Sequence, residues 1–143
     1  MARVALLLGG NQGDVKRTLQ TAQQLINSRV GAVLRCSHRY ESEPWGFESP
    51  HRFINLGVEI ATDLSPEELL CRLQAIERII SAKSHRNAEG GYADRLIDID
   101  LICMEQTVTD TPTLTLPHPR MHLRRFVLEL LMELSPQWIH PLL

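Results

Sequence analysis

Two carboxylates, Asp98 and Asp100, sit inside the apolar run Asp94-Arg95-Leu96-Ile97-Asp98-Ile99-Asp100-Leu101-Ile102-Cys103-Met104. Branched apolar side chains dominate this run and Gly90-Gly91 precede it, so a strand is expected. Alternation along a strand places both acids on one face and Ile97, Ile99 and Leu101 on the other. Their backbones then stand about 6.6 Å apart. Bare carboxylates at that separation repel by roughly 2–3 kcal/mol at an effective dielectric of about 20, and a cation between them removes the penalty. The donors are hard oxygens with no nearby Cys or tight His pair, which favours Mg²⁺ over zinc. Arg95, just ahead of the pair, adds a permanently charged fork of the kind that phosphate oxygens accept. The competing explanation is an amphipathic strand that shows two acids to water.

Other chemistry-bearing residues lie on both sides of this strand. Leu114 to Phe126 holds His118, Arg120, His122, Arg124 and Arg125, and Pro117 and Pro119 exclude an ordinary helix there. In a chain of net charge −2, such a cluster calls for acidic partners in the fold or a bound phosphate. From Ser81 to Gly91 periodicity is lost and Lys83, His85 and Arg86 appear, so a mobile basic loop that could close over a polyphosphate is expected. The stretch Glu41 to Arg52 carries Trp45 and Phe47; these aromatics either plug the end of a sheet or stack on a flat ligand. Gln74 and Glu77 are adjacent on one helix surface, a solvated face or a pair of ligand contacts.

The elements that must hold these groups are legible in outline. Val4 to Leu8 is a continuous apolar run, expected to be a central strand, and Gly9-Gly10-Asn11-Gln12-Gly13 reads as the turn after it. That turn could cradle a phosphate, although neither Gly-rich nucleotide fingerprint is complete, or simply connect. Asp14 is the expected N-cap of a helix lined by Val15, Leu19, Ala22 and Ile26. Strands are expected over Ala32–Tyr40 and Phe53–Thr62. Ser65-Pro66-Glu67-Glu68 has the form of a capping box that opens a second helix with Leu69, Leu73, Ile76 and Ile80 inside. A turn around Thr109 to Pro112 and an apolar helix from Phe126 to Leu134, stopped by Pro136, complete the chain. The order strand, helix, strand, strand, helix, strand matches a ferredoxin-like α+β plan, with helices against a mainly antiparallel sheet and an added C-terminal helix.

Composition limits what such a fold can do. The 143 residues, 43% of them hydrophobic, suit a single domain spanning 1–143 with one ordinary core. The slight negative charge argues against a general nucleic-acid surface, and no apolar run is long enough to span a bilayer. A cytoplasmic protein is expected, and the three cysteines, Cys36, Cys71 and Cys103, read as small buried hydrophobes rather than a disulfide framework.

Several of these segments together resemble one known family. They are Gly9-Gly10-Asn11, Glu43-Pro44-Trp45-Gly46, Phe53-x-Asn55, Gln74-x-x-Glu77, Arg95-x-x-Asp98-Ile99-Asp100, Leu116-Pro117-His118-Pro119 and Arg124-x-Phe126. The chain resembles the 6-hydroxymethyl-7,8-dihydropterin pyrophosphokinases of folate biosynthesis from residue 4 to about residue 136, most specifically in the acidic strand and the proline-histidine block. The resemblance implies transfer of pyrophosphate from ATP to the pterin hydroxymethyl group with release of AMP, by a monomer acting on small molecules. It implies two Mg²⁺ ions on Asp98 and Asp100, with Arg95 and Arg124 as catalytic partners. ATP contacts would fall on Gln74, Glu77, Arg95, Leu101, Thr115, His118 and Arg124. The pterin would meet Ser42, Glu43, Pro44, Trp45, Phe53, Asn55, Tyr92, Asp98 and Phe126.

The chain also departs from the family pattern. Ser81 to Arg86 replaces a Gly-Arg-x-Arg run, Tyr92 stands where many members have Trp, Asp94 where they have Pro and Gly10 where Ser is common. The loop arginines therefore do not carry over, and Lys83, His85 and Arg86 are their weaker counterparts. Two other functions fit part of the pattern. One is a two-metal nucleotidyltransferase, whose acidic strand normally follows the glycine turn much more closely; the other is a non-catalytic ferredoxin-like ligand-binding module.

Overall fold

In the computed structural model, residues 1–42, 52–84, 96–121 and 125–134 are described. The elements follow the order β1 (Ala2–Gly10), α1 (Val15–Arg29), β2 (Ala32–Ser42), β3 (Phe53–Thr62), α2 (Pro66–Ser84), β4 (Asp98–Met104), β5 (Thr109–Asp110), β6 (Thr115–Leu116) and α3 (Arg125–Leu134). The first four long strands form one sheet in the order β2-β3-β1-β4, and every neighbouring pair is antiparallel. This is the ferredoxin-like arrangement, in which each strand-helix-strand unit skips over one strand.

Local signals explain how the helices begin. Asp14 Oδ1 accepts the backbone N–H of Arg17 at 3.2 Å, satisfying one otherwise unpaired donor of α1. At the start of α2 the capping box closes in both directions: Glu68 N–H donates to Ser65 Oγ and Ser65 N–H donates to Glu68 Oε1, each at 3.2 Å. The expected inner stripes, Val15, Leu19, Ala22 and Ile26 on α1 and Leu69, Leu73, Ile76 and Ile80 on α2, are all buried.

The sheet is covered on both faces. Val4, Leu6, Leu8, Leu56, Val58, Ile60, Ile99 and Leu101 pack with α1 and α2. On the opposite face Ala5, Leu7, Ile102 and Cys103 pack with Val127, Leu130, Leu131 and Leu134 of α3. Double coverage is why β1 reads as an unbroken apolar run rather than an alternating one. Gly57 admits α3 closely: a Cβ there would lie 2.7 Å from Leu130 Cδ1. A register shift opposite Ala5 and Leu6 of β1 puts an extra residue in β4, so Ile102 and its neighbour Cys103 both join the α3 face.

Polar contacts fasten α3 to β2. Glu133 accepts from the His38 backbone N–H at 2.6 Å, both its oxygens lie 3.0 Å from His38 Nδ1, and the Tyr40 hydroxyl donates to it at 3.2 Å. The Arg35 guanidinium donates to the Leu134 carbonyl at 3.2 Å. Hydrogen bonding to Glu133 raises the pKa of His38, and the same bond lowers that of Glu133. The His38 contribution is therefore full below its ordinary pKa and lost as pH rises through the raised value. The Glu133 contribution is full above its ordinary range and lost as pH falls through the lowered value. The pair is charged and paired between those two limits. An NMR titration of His38 is expected to show a midpoint above that of an unstructured histidine, moving back down in Glu133→Gln; an unchanged midpoint in the variant would remove the pair as the cause.

Several expectations need correction. Gly9 and Gly10 belong to β1 rather than to a turn, because the sheet continues to pair both residues with β3. Helix α2 runs through Ser81 to Ser84, where a loop was expected, since Ala82 and Lys83 are good helix formers. Strand β4 begins at Asp98 rather than Asp94. The segment 109–116 forms a small antiparallel hairpin, with Thr109 opposite Leu116 and Asp110 opposite Thr115, not just a turn. Cys36 and Cys71 are exposed and only Cys103 is buried, where burial pushes its thiol up to about 12. The expected lid beyond residue 84, the aromatic loop from Glu43 to His51 and the expected stop at Pro136 lie outside the described residues.

Candidate active site

Among the described residues β4 is the last strand of its sheet, so one of its edges faces away from β1. Ile99 turns its backbone N–H outward there, and Glu77 of α2 accepts it at 2.6 Å. Leu101 has the same parity, so its backbone N–H and C=O face the same side while its side chain is buried. The hairpin forms the opposite wall. Leu114 and Leu116 are buried, which leaves the intervening Thr115 turned outward. The His118 backbone N–H donates to Ile102 O at 2.7 Å, tying this wall to the sheet.

Between the walls lies a cleft of about 440 Å³ lined by Gln74, Glu77, Asp98, Asp100, Leu101, Thr115 and His118, among others. The structure thus gathers the five described residues expected to contact ATP, which come from three separate segments, around the two acids. His118 Nδ1 accepts the Arg120 backbone N–H at 3.2 Å, so a neutral ring carries its proton on Nε2 as a donor. Thr111, Pro112 and Thr113 also line the cleft, a role that sequence reasoning missed. The signal was Leu114-Thr115-Leu116, an alternation that marks a strand with one face outward.

Both carboxylates are half-buried and alternate with buried Ile99 and Leu101, on a single face as expected. Among the described residues no group of three or more His, Cys, Asp or Glu could hold a metal. A closed zinc site needs about four protein ligands and does not fit. Mg²⁺ does fit, because it typically takes only one or two carboxylates and completes its shell with water and phosphate oxygens.

The face of the acids continues into a second region. Register places Gly9 opposite Asn55 on one side and opposite Asp98 on the other, so Asn55, Gly9 and Asp98 form one row across the sheet. Two inter-strand steps separate the outer members by about 10 Å. Asn55 is buried, and its Nδ2 donates to Tyr40 O at 3.1 Å and to Ser42 Oγ at 2.8 Å. Phe53 lies two residues before Asn55 on the same strand face, and Phe126, at the start of α3, packs partly buried against the core of that face. Gly9, expected in a turn, is instead the floor between Asn55 and the acids. Its lack of a side chain was visible in the sequence, but its row was not.

Of the remaining expected site residues, Glu43, Pro44, Trp45, Tyr92, Arg95 and Arg124 lie outside the described residues, as do His85, Arg86 and the Lys83 side chain.

The family model for 7,8-dihydro-6-hydroxymethylpterin-pyrophosphokinase matches residues 5–136. The chain is similar to the 2-amino-4-hydroxy-6-hydroxymethyldihydropteridine pyrophosphokinase of Porphyromonas gingivalis, 44% identical over 99% of this chain and 95% of the relative. The Bacillus subtilis protein of the same name is 36% identical over 92% of this chain and 77% of its own. A crystal structure of Plasmodium falciparum HPPK-DHPS with pteroate superposes with a TM-score of 0.78 at 16% identity, which speaks for the fold alone. It covers 99% of this chain, which spans 40% of that longer one.

Proposed function

The chain belongs to the 7,8-dihydro-6-hydroxymethylpterin-pyrophosphokinase family, and we propose that its β4 cleft and the Asn55–Gly9–Asp98 row are the two halves of that family's active site. The enzyme transfers pyrophosphate from ATP to the hydroxymethyl group of 6-hydroxymethyl-7,8-dihydropterin, releasing AMP, in folate biosynthesis. The observation that carries the division is positional: Asp98 belongs both to the row that reaches Asn55 and to the wall of the cleft.

ATP lies along the open edge of β4. The outward backbone groups of Leu101, with Gln74 and Thr115, offer donors and acceptors to the base, and the His118 ring donates toward phosphate oxygens. By the resemblance, Arg95 and Arg124 add positive charge for the phosphates. The ring of the pterin enters from the other side, between Phe53 and Phe126, with Ser42, Glu43, Pro44, Trp45 and Tyr92 completing its slot. The row of about 10 Å suits a fused bicyclic ring carrying one short arm, so a ring read at Asn55 brings its hydroxyl to the acids.

Asp98 and Asp100 would hold the two Mg²⁺ ions that the resemblance implies. Bound there, Mg²⁺ supplies Lewis acidity and neutralises charge on the phosphate oxygens. What the chain's own residues do is hold the hydroxyl and the triphosphate in line, oppose the growing negative charge and exclude water. Catalysis of this kind is mostly positioning and electrostatics. No helix among the described residues is long and apolar enough to cross a membrane, and we place this activity in a cytoplasmic, monomeric enzyme of one domain.

Phosphorus NMR of the purified protein with ATP, Mg²⁺ and the pterin tests this reading. AMP without free pyrophosphate, dependent on both metal and pterin, is the expected result. Free pyrophosphate would instead mean nucleotidyl transfer, and ADP would mean single phosphoryl transfer.

A further inference from the structure

We propose that Ser42 is a positioning residue that locks the Asn55 amide, so that Asn55 presents only its carbonyl oxygen to the ring in the slot. The proposal rests on the slot assigned above. Tyr40 O is a backbone carbonyl and can only accept, so the amide atom 3.1 Å from it must be Nδ2. The second amide hydrogen goes to Ser42 Oγ at 2.8 Å. Both donors of the side chain are thereby spent inside the protein.

What remains is Oδ1. Asn55 is only 3% exposed, and Oδ1 lies 2.9 Å from the place a Cβ on Gly9 would occupy. The oxygen therefore leans from β3 over β1, along the row toward Asp98. Among the described residues both side-chain hydrogen bonds of Asn55 run through Nδ2 and none ends on Oδ1, and a buried carbonyl oxygen without a donor is unfavourable. A ligand that supplies a ring or exocyclic N–H at this point satisfies it. A ligand edge offering only acceptors faces a fixed acceptor and is rejected. The selection needs the lock, because the terminal torsion of an asparagine has broad, roughly two-fold wells. Without the Ser42 hydroxyl one N–H loses its partner and a single bond, to Tyr40 O, is left to hold the amide, so its orientation is less sharply held.

Steady-state kinetics of Ser42→Ala, Ser42→Thr and Gly9→Ala test the proposal. In Ser42→Ala the KM for the pterin is expected to rise about five- to tenfold, the worth of one hydrogen bond, with kcat and the KM for ATP little changed. Ser42→Thr keeps the hydroxyl and returns the pterin KM to near wild type. Gly9→Ala displaces Oδ1 from below and raises the pterin KM selectively as well. A wild-type pterin KM in Ser42→Ala, an equal rise for both substrates, or failure of Thr to rescue would overturn the lock while leaving the slot standing. A wild-type enzyme with no pterin-dependent turnover would overturn the slot and the lock together.

Discussion

Asp98→Asn is expected to lower kcat by two to three orders of magnitude or more, roughly the cost of removing one preorganised electrostatic contact from a phosphoryl-type site. The substitution keeps the shape of the side chain and removes its charge. Asp98 is half-buried at the beginning of β4 and stands opposite Gly9, which has no side chain. The amide keeps the volume of the carboxylate and Gly9 opposite adds no side chain to repack, so the thermal midpoint should change less than the activity. A second readout separates a metal role from a structural one: the Mg²⁺ concentration needed for half-maximal rate should increase, because one of two hard oxygen donors has become a weaker amide. Full activity, or lost activity with an unchanged Mg²⁺ requirement, would remove Asp98 from the metal site.

Leu130→Ala should destabilise the protein by about 2–5 kcal/mol, the range for emptying a fully buried leucine site. Leu130 is completely buried and lies where Gly57 lets α3 approach the sheet. Leu128, on the same helix but 40% exposed, provides the control: Leu128→Ala should stay within about 0.5 kcal/mol. Urea denaturation of the two variants distinguishes a docked α3 from a loosely attached one. Because Phe126 lies in the first turn of α3, the looser variant should also lose more affinity for the pterin than for ATP. Equal stabilities for the two variants would mean that the second face of the sheet is not held by this helix.

Some of this was readable directly because the physics is local. Periodicity and capping chemistry located α1 and α2, including the reciprocal Ser65–Glu68 box, since a helix start depends on residues three or four apart. The alternation of β4 put Asp98 and Asp100 on one face because neighbouring side chains on any strand must point oppositely. The segments from Gly9 to Phe126 sufficed for the family.

Cross-strand and inter-element relations behaved differently. Cys36 and Cys71 were expected to be buried, but burial depends on what packs over a residue, and nothing in their neighbourhood along the chain specifies it. Gly9 and Gly10 looked like a turn because glycine commonly ends a strand. Only pairing on both sides of β1 shows that the sheet continues through them, and with it the row from Asn55 to Asp98. The cleft was equally hidden, since Gln74, Leu101 and Thr115 meet only once α2, the edge of β4 and the hairpin are assembled.

By itself, then, the sequence determined the long helices and strands in outline, the acid pair and the family, all of which follow from residue types at short range. The tertiary structure alone decided that α3 closes the second face, that Asp98 is shared by the cleft and the Asn55–Gly9–Asp98 row, and that the Asn55 oxygen points over Gly9. Those are consequences of strand order and register, which join residues far apart in the chain and leave no short-range pattern behind.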